Sequence, residues 1–314
     1  MKRSLKCLPI AFCLLFIPLI SLSAELYPAR PIKVIVPFPP GGGADTLIRL
    51  IAPNLSELWK QPVTIENRPG ASGYIGAELV AQAPADGYTL LMGSTAAVTE
   101  KNAKQFAPVA LISASPYIVT VNPALNISSV NGLIAYAKAN PGKIRYGSSG
   151  PGSASHLAGE LFASMANISL LHIPYKGTGQ ALTDLLAGHI DLMFAPAQTV
   201  LPQIETGKLL ALAQTCIKRS EALQNIPTVA EAGLTGYSAV GWFGLFAPAN
   251  TPKIVIQKIN QTVMLTMTQD RVRKAMLERG SDPAGGSADE FAAFLRLDQS
   301  KWAKLIKENK IAVQ

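Results

Sequence analysis

The sequence predicts an α/β protein of two domains joined by two crossing strands. Apolar runs of strand length alternate with stretches of helical periodicity along almost the whole chain, a pattern typical of mostly parallel sheets. The 314 residues suit two domains of roughly 100–200 residues each. No low-complexity linker separates the two halves, which favours intertwined domains over a tethered pair.

The first half of the chain begins with a strand at 32–36 and a helix at 46–60, whose apolar residues recur at helical spacing. Pro53 lies inside this helix and is expected to kink or divide it. The other elements of this half are short, and we expect strands at 63–65, 88–92 and 109–112 and a helix at 75–83.

The same alternation restarts in the second half. We expect strands at 117–121, 144–146, 170–173, 190–194 and 209–213, with helices at 130–139, 155–165, 181–187 and 200–206. An apolar segment follows at 240–247, and the chain ends in helices at 252–268, 270–279 and 288–309.

Two segments, 113–121 and 240–247, are the candidate crossings between the domains. The first domain is therefore predicted to combine residues 25–117 with 247–314, because the final helices would pack back on it. The second domain would comprise residues 118–246.

The first 24 residues are predicted to be a secretory signal peptide. Three basic residues precede a short apolar run at 8–20, and small residues follow at 21–24. Cleavage after Ser23 fits best, and cleavage after Ala24 is the alternative. A transmembrane anchor is disfavoured, because spanning needs about 20 apolar residues and this run is shorter and contains two prolines. We therefore expect a periplasmic protein.

Loss of the signal peptide changes what the composition implies. The full chain has 28 Lys and Arg against 20 Asp and Glu, a net charge of +8. Removing Lys2, Arg3 and Lys6 leaves 25 against 20, or +5, with no basic run longer than two residues. This distribution argues against a nucleic-acid partner.

The cysteine and histidine content excludes further classes. Cys7 and Cys13 leave with the signal peptide, so Cys216 remains alone and the mature chain has no internal disulfide. Its stability must come from burial, which about 290 residues readily supply. Three scattered histidines without a cysteine pair give no metal motif, and no cofactor is expected.

A glycine-rich loop follows the first strand. In Phe38-Pro39-Pro40-Gly41-Gly42-Gly43, the glycines free several backbone N–H groups at the start of a helix, a geometry that binds anions. The spacing is neither that of a dinucleotide fingerprint nor that of a P-loop. The alternative is an ordinary strand–helix turn capped by Asp45 or Thr46. We favour Asp45 as a cap over Asp45 as a catalytic acid.

The second half repeats this arrangement at 146–156, where a Gly/Ser-rich loop joins a strand to a helix. Its amides and hydroxyls are suited to a second anionic group. Pro151 stands where a nucleophile elbow would need glycine. His156 as a base paired with a serine is one interpretation, and a helix-start histidine that bonds the loop backbone is the favoured one.

A third turn, Tyr175-Lys176-Gly177, also joins a predicted strand to a helix. Tyr175 is suited to line a ligand, and Lys176 either pairs with a carboxylate or is simply solvated. Ligands of open α/β sheets lie outside the carboxyl ends of the strands, so the three loops indicate one cleft between the domains. Backbone donors without acid–base pairs favour a binding protein over an enzyme.

Beyond these patterns, eight segments together carry a specific resemblance. The chain is similar to the Bug family, the periplasmic substrate-binding component of tripartite tricarboxylate transporters, from about residue 27 to its C-terminus. The matching segments are 27–32, the loop at 36–45, 66–71, 86–91, 156–160, 174–177, 227–233 and 242–248.

The resemblance implies a type II periplasmic-binding-protein fold, with two Rossmann-like domains that close about a hinge on a ligand. Family ligands are mostly small carboxylates, often dicarboxylates, and the loaded protein serves membrane permease subunits. We expect a monomer. Carried over to this chain, the ligand-binding residues would be Phe38, Pro39, Pro40, Gly41, Gly42, Gly43, Asp45, Ser94, Thr95, Ala96, Ser149, Gly150, Gly152, Ser153, Ser155, His156, Tyr175, Lys176, Gly177 and Ala195.

Two departures from the family pattern bear on the ligand. The stretch from Thr95 to Gln105 is shorter than usual, so part of the first-domain wall is expected to be missing. Ala195-Pro196 stands where the family often has Asp-Asn. Because that acid is absent, we expect no preference for ligands with an amino group.

Overall fold

Two α/β lobes make up the computed structural model, which describes residues 27–312. The predicted signal peptide lies outside the described residues. The strands are β1 (Ile32–Val36), β2 (Val63–Asn67), β3 (Thr89–Ser94), β4 (Phe106–Val121), β5 (Arg145–Ser148), β6 (Leu171–Pro174), β7 (Leu192–Pro196), β8 (Leu210–Gln214) and β9 (Val240–Pro248). The helices are α1 (Gly43–Trp59), α2 (Tyr74–Ala81), α3 (Val130–Ala139), α4 (Ala154–Ala166), α5 (Thr178–Leu186), α6 (Ala197–Glu205), α7 (Lys253–Met267), α8 (Asp270–Leu277) and α9 (Ala288–Glu308).

Each lobe is built on a partly parallel sheet. In the first lobe the order is β2-β1-β3-β9-β4, with β1 parallel to both β2 and β3. In the second lobe the order is β4-β7-β5-β6, with β5 parallel to its two neighbours and β8 paired with β4. The strand–helix alternation thus produces the predicted α/β architecture.

The two crossing strands are β4 and β9. They pair antiparallel from Phe106↔Pro248 to Pro116↔Val240, and from Tyr117 onward β4 pairs with β7 and β8 instead. Segments 109–112 and 113–121, predicted as a strand and a crossing, form one strand of 16 residues. The chain therefore passes between the lobes without interrupting its backbone pairing.

Both lobes bury large apolar clusters of their own. Ile32, Leu47 and Leu90 are fully buried in the first lobe, and Val119, Phe162 and Phe194 are fully buried in the second. At about 25 cal/mol per Å² of buried apolar surface, such cores stabilise each lobe without a disulfide, and Cys216 is a free thiol.

Helix α9 packs on both lobes. Its Phe291 and Leu295 lie in a first-lobe cluster, whereas Trp302 and Leu305 lie in the second-lobe core. Asp298, between them in sequence, accepts hydrogen bonds of 2.8 Å from the indoles of Trp242 on β9 and Trp302. The assignment of all of 247–314 to the first domain stays a prediction. Helix α9 fits that assignment least well, because it packs on both lobes.

Helix α1 differs from its predicted form in where it starts and in its continuity at Pro53. It begins at Gly43, three residues earlier than expected, and it continues through Pro53 without division. Pro53 is exposed to solvent, so its ring does not disturb the packed face. In residues 27–312 no helix is both long and apolar enough to cross a membrane.

Candidate functional site

A cavity lies between the lobes, where strands of both sheets end. Its volume is about 60 Å³, room for about two water molecules at about 30 Å³ each. The residues around it come from the strand–helix loops and the crossing strands. They are Phe38, Pro39, Pro40, Gly42, Gly43, Ala44, Ser94, Ala96, Tyr117, Ser149, Ser153, Ala154, Gly177, Thr178, Gly179, Gln180, Pro196 and Phe243.

The first residues of three helices face this cavity: Gly43 of α1, Ala154 of α4 and Thr178 of α5. The N-caps of α1 and α5, Gly42 and Gly177, provide no side-chain hydrogen bond. The first N–H groups of a helix have no partner within the helix, and the dipole adds about half a positive charge at each start. The cavity is therefore positive in potential although, in the described part of the chain, no charged side chain lines it.

Asp45 supports the first-lobe loop from behind. Its carboxylate accepts hydrogen bonds from the backbone N–H of Gly41 at 3.0 Å, from Asn67 at 2.9 Å and from Arg49 at 2.9 Å. Burial raises the pKa of Asp45, but these hydrogen bonds outweigh it and lower the pKa below its ordinary value.

Neither Asp45 nor Thr46 is the N-cap of α1, contrary to the cap prediction. Gly42 takes that position because the helix begins earlier than expected. Asp45 is buried and does not line the cavity, so its contacts make it a brace of the loop and not a reacting acid.

Gly43 is held tightly between the lobes. A methyl group built on it would lie 2.9 Å from Cζ of Phe243 on β9. A side chain at this position would therefore displace the Phe243 ring, which also lines the cavity.

The second-lobe loop is braced by hydroxyl groups. Ser153 caps α4 by accepting from the N–H of His156 at 3.3 Å and donates to the carbonyl of Gly150 at 2.6 Å. Ser155 accepts from the N–H of Ser149 at 3.1 Å. Ser149 and Ser153 line the cavity, whereas Gly150, Gly152 and Ser155 do not.

His156 bonds the loop backbone, as the favoured interpretation expects. Its Nδ1 accepts from the N–H of Gly152 at 3.0 Å, and its ring stacks on that of His172 at 3.9 Å between centroids. Burial, and secondarily His172, lower the pKa of His156 to about 3, while burial lowers the pKa of His172 to about 4. Both rings are therefore neutral near pH 7.

The arrangement needed for a catalytic serine is not formed at His156. Its Nδ1 is occupied by Gly152, and Glu160 lies 3.7 Å from its Nε2. Ser148 does bond His172 Nε2 at 2.7 Å, but Ser148 is fully buried and does not line the cavity. These contacts hold the loop in shape.

In the third loop, only Gly177 of the predicted residues reaches the cavity. The hydroxyl of Tyr175 donates to Asp184 at 2.7 Å, and Lys176 is exposed to solvent. Ser94 and Ala96 line the first-lobe wall, while Thr95 is buried beside them with no partner for its Oγ1 among the described residues. Gly41 and Ala195 also lie off the wall, the latter buried within β7 next to Pro196.

The two lobes touch across the cavity. A methyl group on Gly177 would lie 3.1 Å from Cδ of Pro39, and one on Gly150 would lie 2.5 Å from Oγ of Ser72. These close approaches define a closed cleft and explain why glycine occupies both second-lobe positions, 150 and 177.

Sequence reasoning missed Ala44, Tyr117, Ala154, Thr178, Gly179, Gln180, Pro196 and Phe243. Most of them begin a helix or cap one, so extending each loop by one helical turn would have found them. Tyr117 and Phe243 lie on the two crossing strands, which form the floor of the cleft.

Two lobes, two crossing strands and a closed cleft lined by helix N-termini define the class of bilobal solute-binding proteins. Comparison with known proteins agrees. A protein of R. palustris, Rpa4515 with adipate, is 36% identical, with a TM-score of 0.87 over 91% of this chain and 99% of that one. MatC of Rhodopseudomonas palustris with bound malate is 28% identical, with a TM-score of 0.82 over 89% and 100%.

The family follows from the sequence comparison. Residues 47–311 match the tripartite tricarboxylate transporter family receptors, and the protein BugT of Bordetella pertussis is 35% identical over 297 residues, 91% of each chain. The chain belongs to this family, which confirms the resemblance and the fold class predicted from the sequence. Receptors of this family are periplasmic, and its members and structural neighbours are binding proteins, not enzymes.

Proposed function

We propose that this protein captures a small carboxylate, most suitably a dicarboxylate, in the closed cleft and delivers it to the membrane permease of a tripartite transporter. The observation that carries the proposal is the convergence of three helix N-termini on a cavity that no charged side chain of residues 27–312 lines. Each N-terminus stabilises an anion by about 0.3–1 kcal/mol when exposed and by more when partly buried. Because helix N-termini from both lobes face the cavity, they favour a ligand with a carboxylate at each end.

The neighbours support this ligand class, because Rpa4515 is described with adipate and MatC with malate. The cavity of about 60 Å³ favours a short ligand. Among the described residues the cavity wall offers no carboxylate to an ammonium group, and Ala195-Pro196 supplies none, so the expected ligand lacks an amino group. The remaining expectations are a periplasmic location after signal-peptide removal, a monomer, and neither cofactor nor nucleic-acid partner.

A periplasmic sensor that presents the same closed form to a membrane receptor is the second candidate. Deleting the gene separates the two roles, since a transport protein is required for uptake of the labelled diacid and a sensor only for a transcriptional response to it. A hydrolase using His156 is the weakest candidate, because Nδ1 of that ring is occupied by the Gly152 N–H.

Mass spectrometry of ligand released from the protein, purified from the periplasm with its own leader, tests the proposal directly. We expect a small diacid. Calorimetric titration with succinate, glutarate and adipate should then show saturable binding. In Gly43→Ala the new methyl would displace Phe243 and reduce affinity at least about 10-fold, a loss of about 1.4 kcal/mol.

Gly285→Ala is the matched control, because a methyl there meets only ordinary contacts at 3.5 Å. It should bind the diacids like the wild type. Absence of binding to all three diacids, together with a released ligand that is not a carboxylate, would overturn the proposal. Aspartate binding more tightly than succinate would contradict only the expected absence of an amino group.

A further inference from the structure

A second cavity lies on the outer surface of the second lobe, at the opposite end of its sheet from the cleft. It is found where α3 ends and β5 begins, whereas the other end of β5 leads into the Ser149 loop at the cleft. Its volume is about 450 Å³, within the range of about 300–1,000 Å³ that is usual for binding pockets. We name it the outer groove, and its residues are Leu125, Tyr136, Asn140, Lys143, Ile144, Arg145 and Asp191.

One wall of the outer groove is the last turn of α3. Tyr136 and Asn140 are one helical turn apart, so their side chains lie on the same face of the helix. The carbonyl of Tyr136 accepts hydrogen bonds from the backbone N–H of Asn140 at 2.9 Å and from its side-chain Nδ2 at 3.0 Å. These bonds fix the end of the helix, and Tyr136 stays 40% exposed, so its ring offers an apolar surface to a partner.

Another wall is formed by an arginine that is already held in place. Asp191 accepts hydrogen bonds from Nε of Arg145 at 2.9 Å and from Nη2 at 2.6 Å, and Nη2 also donates to the carbonyl of Gly188 at 3.1 Å. Nη1 takes part in none of these bonds and stays available to an acceptor. Because the guanidinium is ordered in advance, a partner binds it at little cost in side-chain entropy.

The outer groove is positively charged. Among the described residues its lining contains two cations, Lys143 and Arg145, against one acid, Asp191, and that acid is engaged by Arg145. Lys143 is exposed and forms no salt bridge with residues 27–312. Buried Ile144 and half-buried Leu125 add an apolar part. This lining suits a carboxylate with an apolar group next to it.

The exposure of this lining favours a protein partner over a small solute. Small-molecule sites bury about 70–90% of the ligand surface, but Tyr136 and Lys143 are exposed and the side chain of Arg145 is 40% exposed. A free carboxylate there would stay largely in water. A protein segment that continues beyond the groove would instead cover the tyrosine ring and exclude water from the two cations.

We propose that the outer groove is a docking site for the membrane permease, and that it binds an acidic residue flanked by an apolar one on a periplasmic segment of that permease. The inference rests on the proposed function and adds the contact surface. The residues of the groove belong to the second lobe and do not line the cleft cavity, so closure of the lobes leaves the groove unchanged. Docking is therefore expected both with and without ligand.

The test measures docking separately from ligand binding, with Lys143→Glu as the main variant. The change reverses the charge of one groove cation and should leave the calorimetric affinity for succinate, glutarate and adipate unchanged. Binding to right-side-out membrane vesicles that contain the permease should fall at least about 10-fold, with and without diacid. Tyr136→Ala removes the apolar wall without a change of charge and should weaken vesicle binding by about fivefold or more.

Lys138→Glu is the matched control, because it makes the same change of charge on an exposed residue of α3 that does not line the groove. It should bind the vesicles like the wild type. An equal loss in Lys138→Glu, or wild-type binding by Lys143→Glu, would overturn the inference.

Two other occupants of the groove are outcomes of the same test. Equal binding to vesicles that lack the permease would indicate a lipid surface, and a dimer in sedimentation that Lys143→Glu dissociates would indicate a second copy of the chain. Either result would overturn the inference and leave the proposed function intact. If the wild type binds none of the three diacids, the proposed function fails instead, whatever the vesicles show.

Discussion

The two loops that face each other across the cleft both hold a helix N-terminus against the cavity, but different side chains fix each loop in place. In the first lobe, one buried carboxylate, Asp45, holds the glycine loop and is itself neutralised by Arg49. In the second lobe, serine hydroxyls and the neutral ring of His156 do the equivalent task. Both leave a helix N-terminus facing the cavity. An anion site formed by helix N-termini therefore depends on the side chains that hold its loops, and here these side chains differ in charge and in their response to pH.

The largest effect that separates the loops should come from Asp45→Ala. The change leaves the N–H of Gly41 and the amide of Asn67 without their acceptor, and removing a buried hydrogen-bonded charge costs about 3 kcal/mol. We expect that loss in the free energy of urea unfolding, with at least a 10-fold loss of diacid affinity.

Glu278→Ala is the control for Asp45→Ala. Glu278 is exposed and lies 3.9 Å from Lys274, a surface pair expected to contribute less than about 1 kcal/mol. If Asp45→Ala is as stable as Glu278→Ala, the first-lobe loop does not depend on the Asp45 carboxylate. The proposed difference between a charged support in the first lobe and an uncharged one in the second would then be wrong.

Acidification should affect the second loop before the first. The folded-state pKa of His156 is about 3, below the usual value of about 6.5. The unfolded chain therefore binds more protons, and stability falls as pH drops below about 6.5. At pH 5 the expected loss is about 2 kcal/mol from His156; the partly exposed His172 acts in the same direction. Asp45 acts in the same direction but in a lower pH range, because its pKa is also lowered in the folded state: the stability it gives is present above about 3.8 and is lost only at lower pH.

Urea unfolding at pH 7 and pH 5 checks this prediction, with His156→Gln as the informative variant. A glutamine carbonyl can accept from Gly152 and does not titrate. The variant should lose less stability than the wild type between the two pH values. Equal losses would show that His156 is not the group being protonated.

These contrasts show which parts of the site the sequence could predict. Glycine-rich loops after strands predict helix N-termini at a cleft from local rules alone, and Gly42, Gly43, Ser149 and Gly177 do lie there. The first helical turns are not predicted, because α1, α4 and α5 begin one to three residues before their predicted starts.

The rest depends on contacts between residues distant in sequence. Tyr117 reaches the cavity only because Gly241, 124 positions later, leaves room for its ring. Ser148 is bound to His172 across the β5–β6 pair, and α9 joins both cores through Leu295 and Trp302, which lie about two turns apart. Hydrophobic periodicity predicts which face of a helix or strand is buried, but it does not predict which other element packs against that face.

Substitution of Lys176 should give the smallest change in ligand affinity. It tests whether Lys176 pairs with a ligand carboxylate or is solvated, which the sequence left open. It stands beside Gly177 at the rim, but its side chain is exposed and does not line the cavity. A ligand carboxylate held by helix N-termini needs no ammonium partner, and exposed charge pairs contribute little in water. Lys176→Gln should therefore change diacid affinity less than about twofold, at low and at high salt. A 10-fold loss that disappears at high salt would show a charge-paired ligand, and the two loops would then be distinguished by a cation on the second-lobe side.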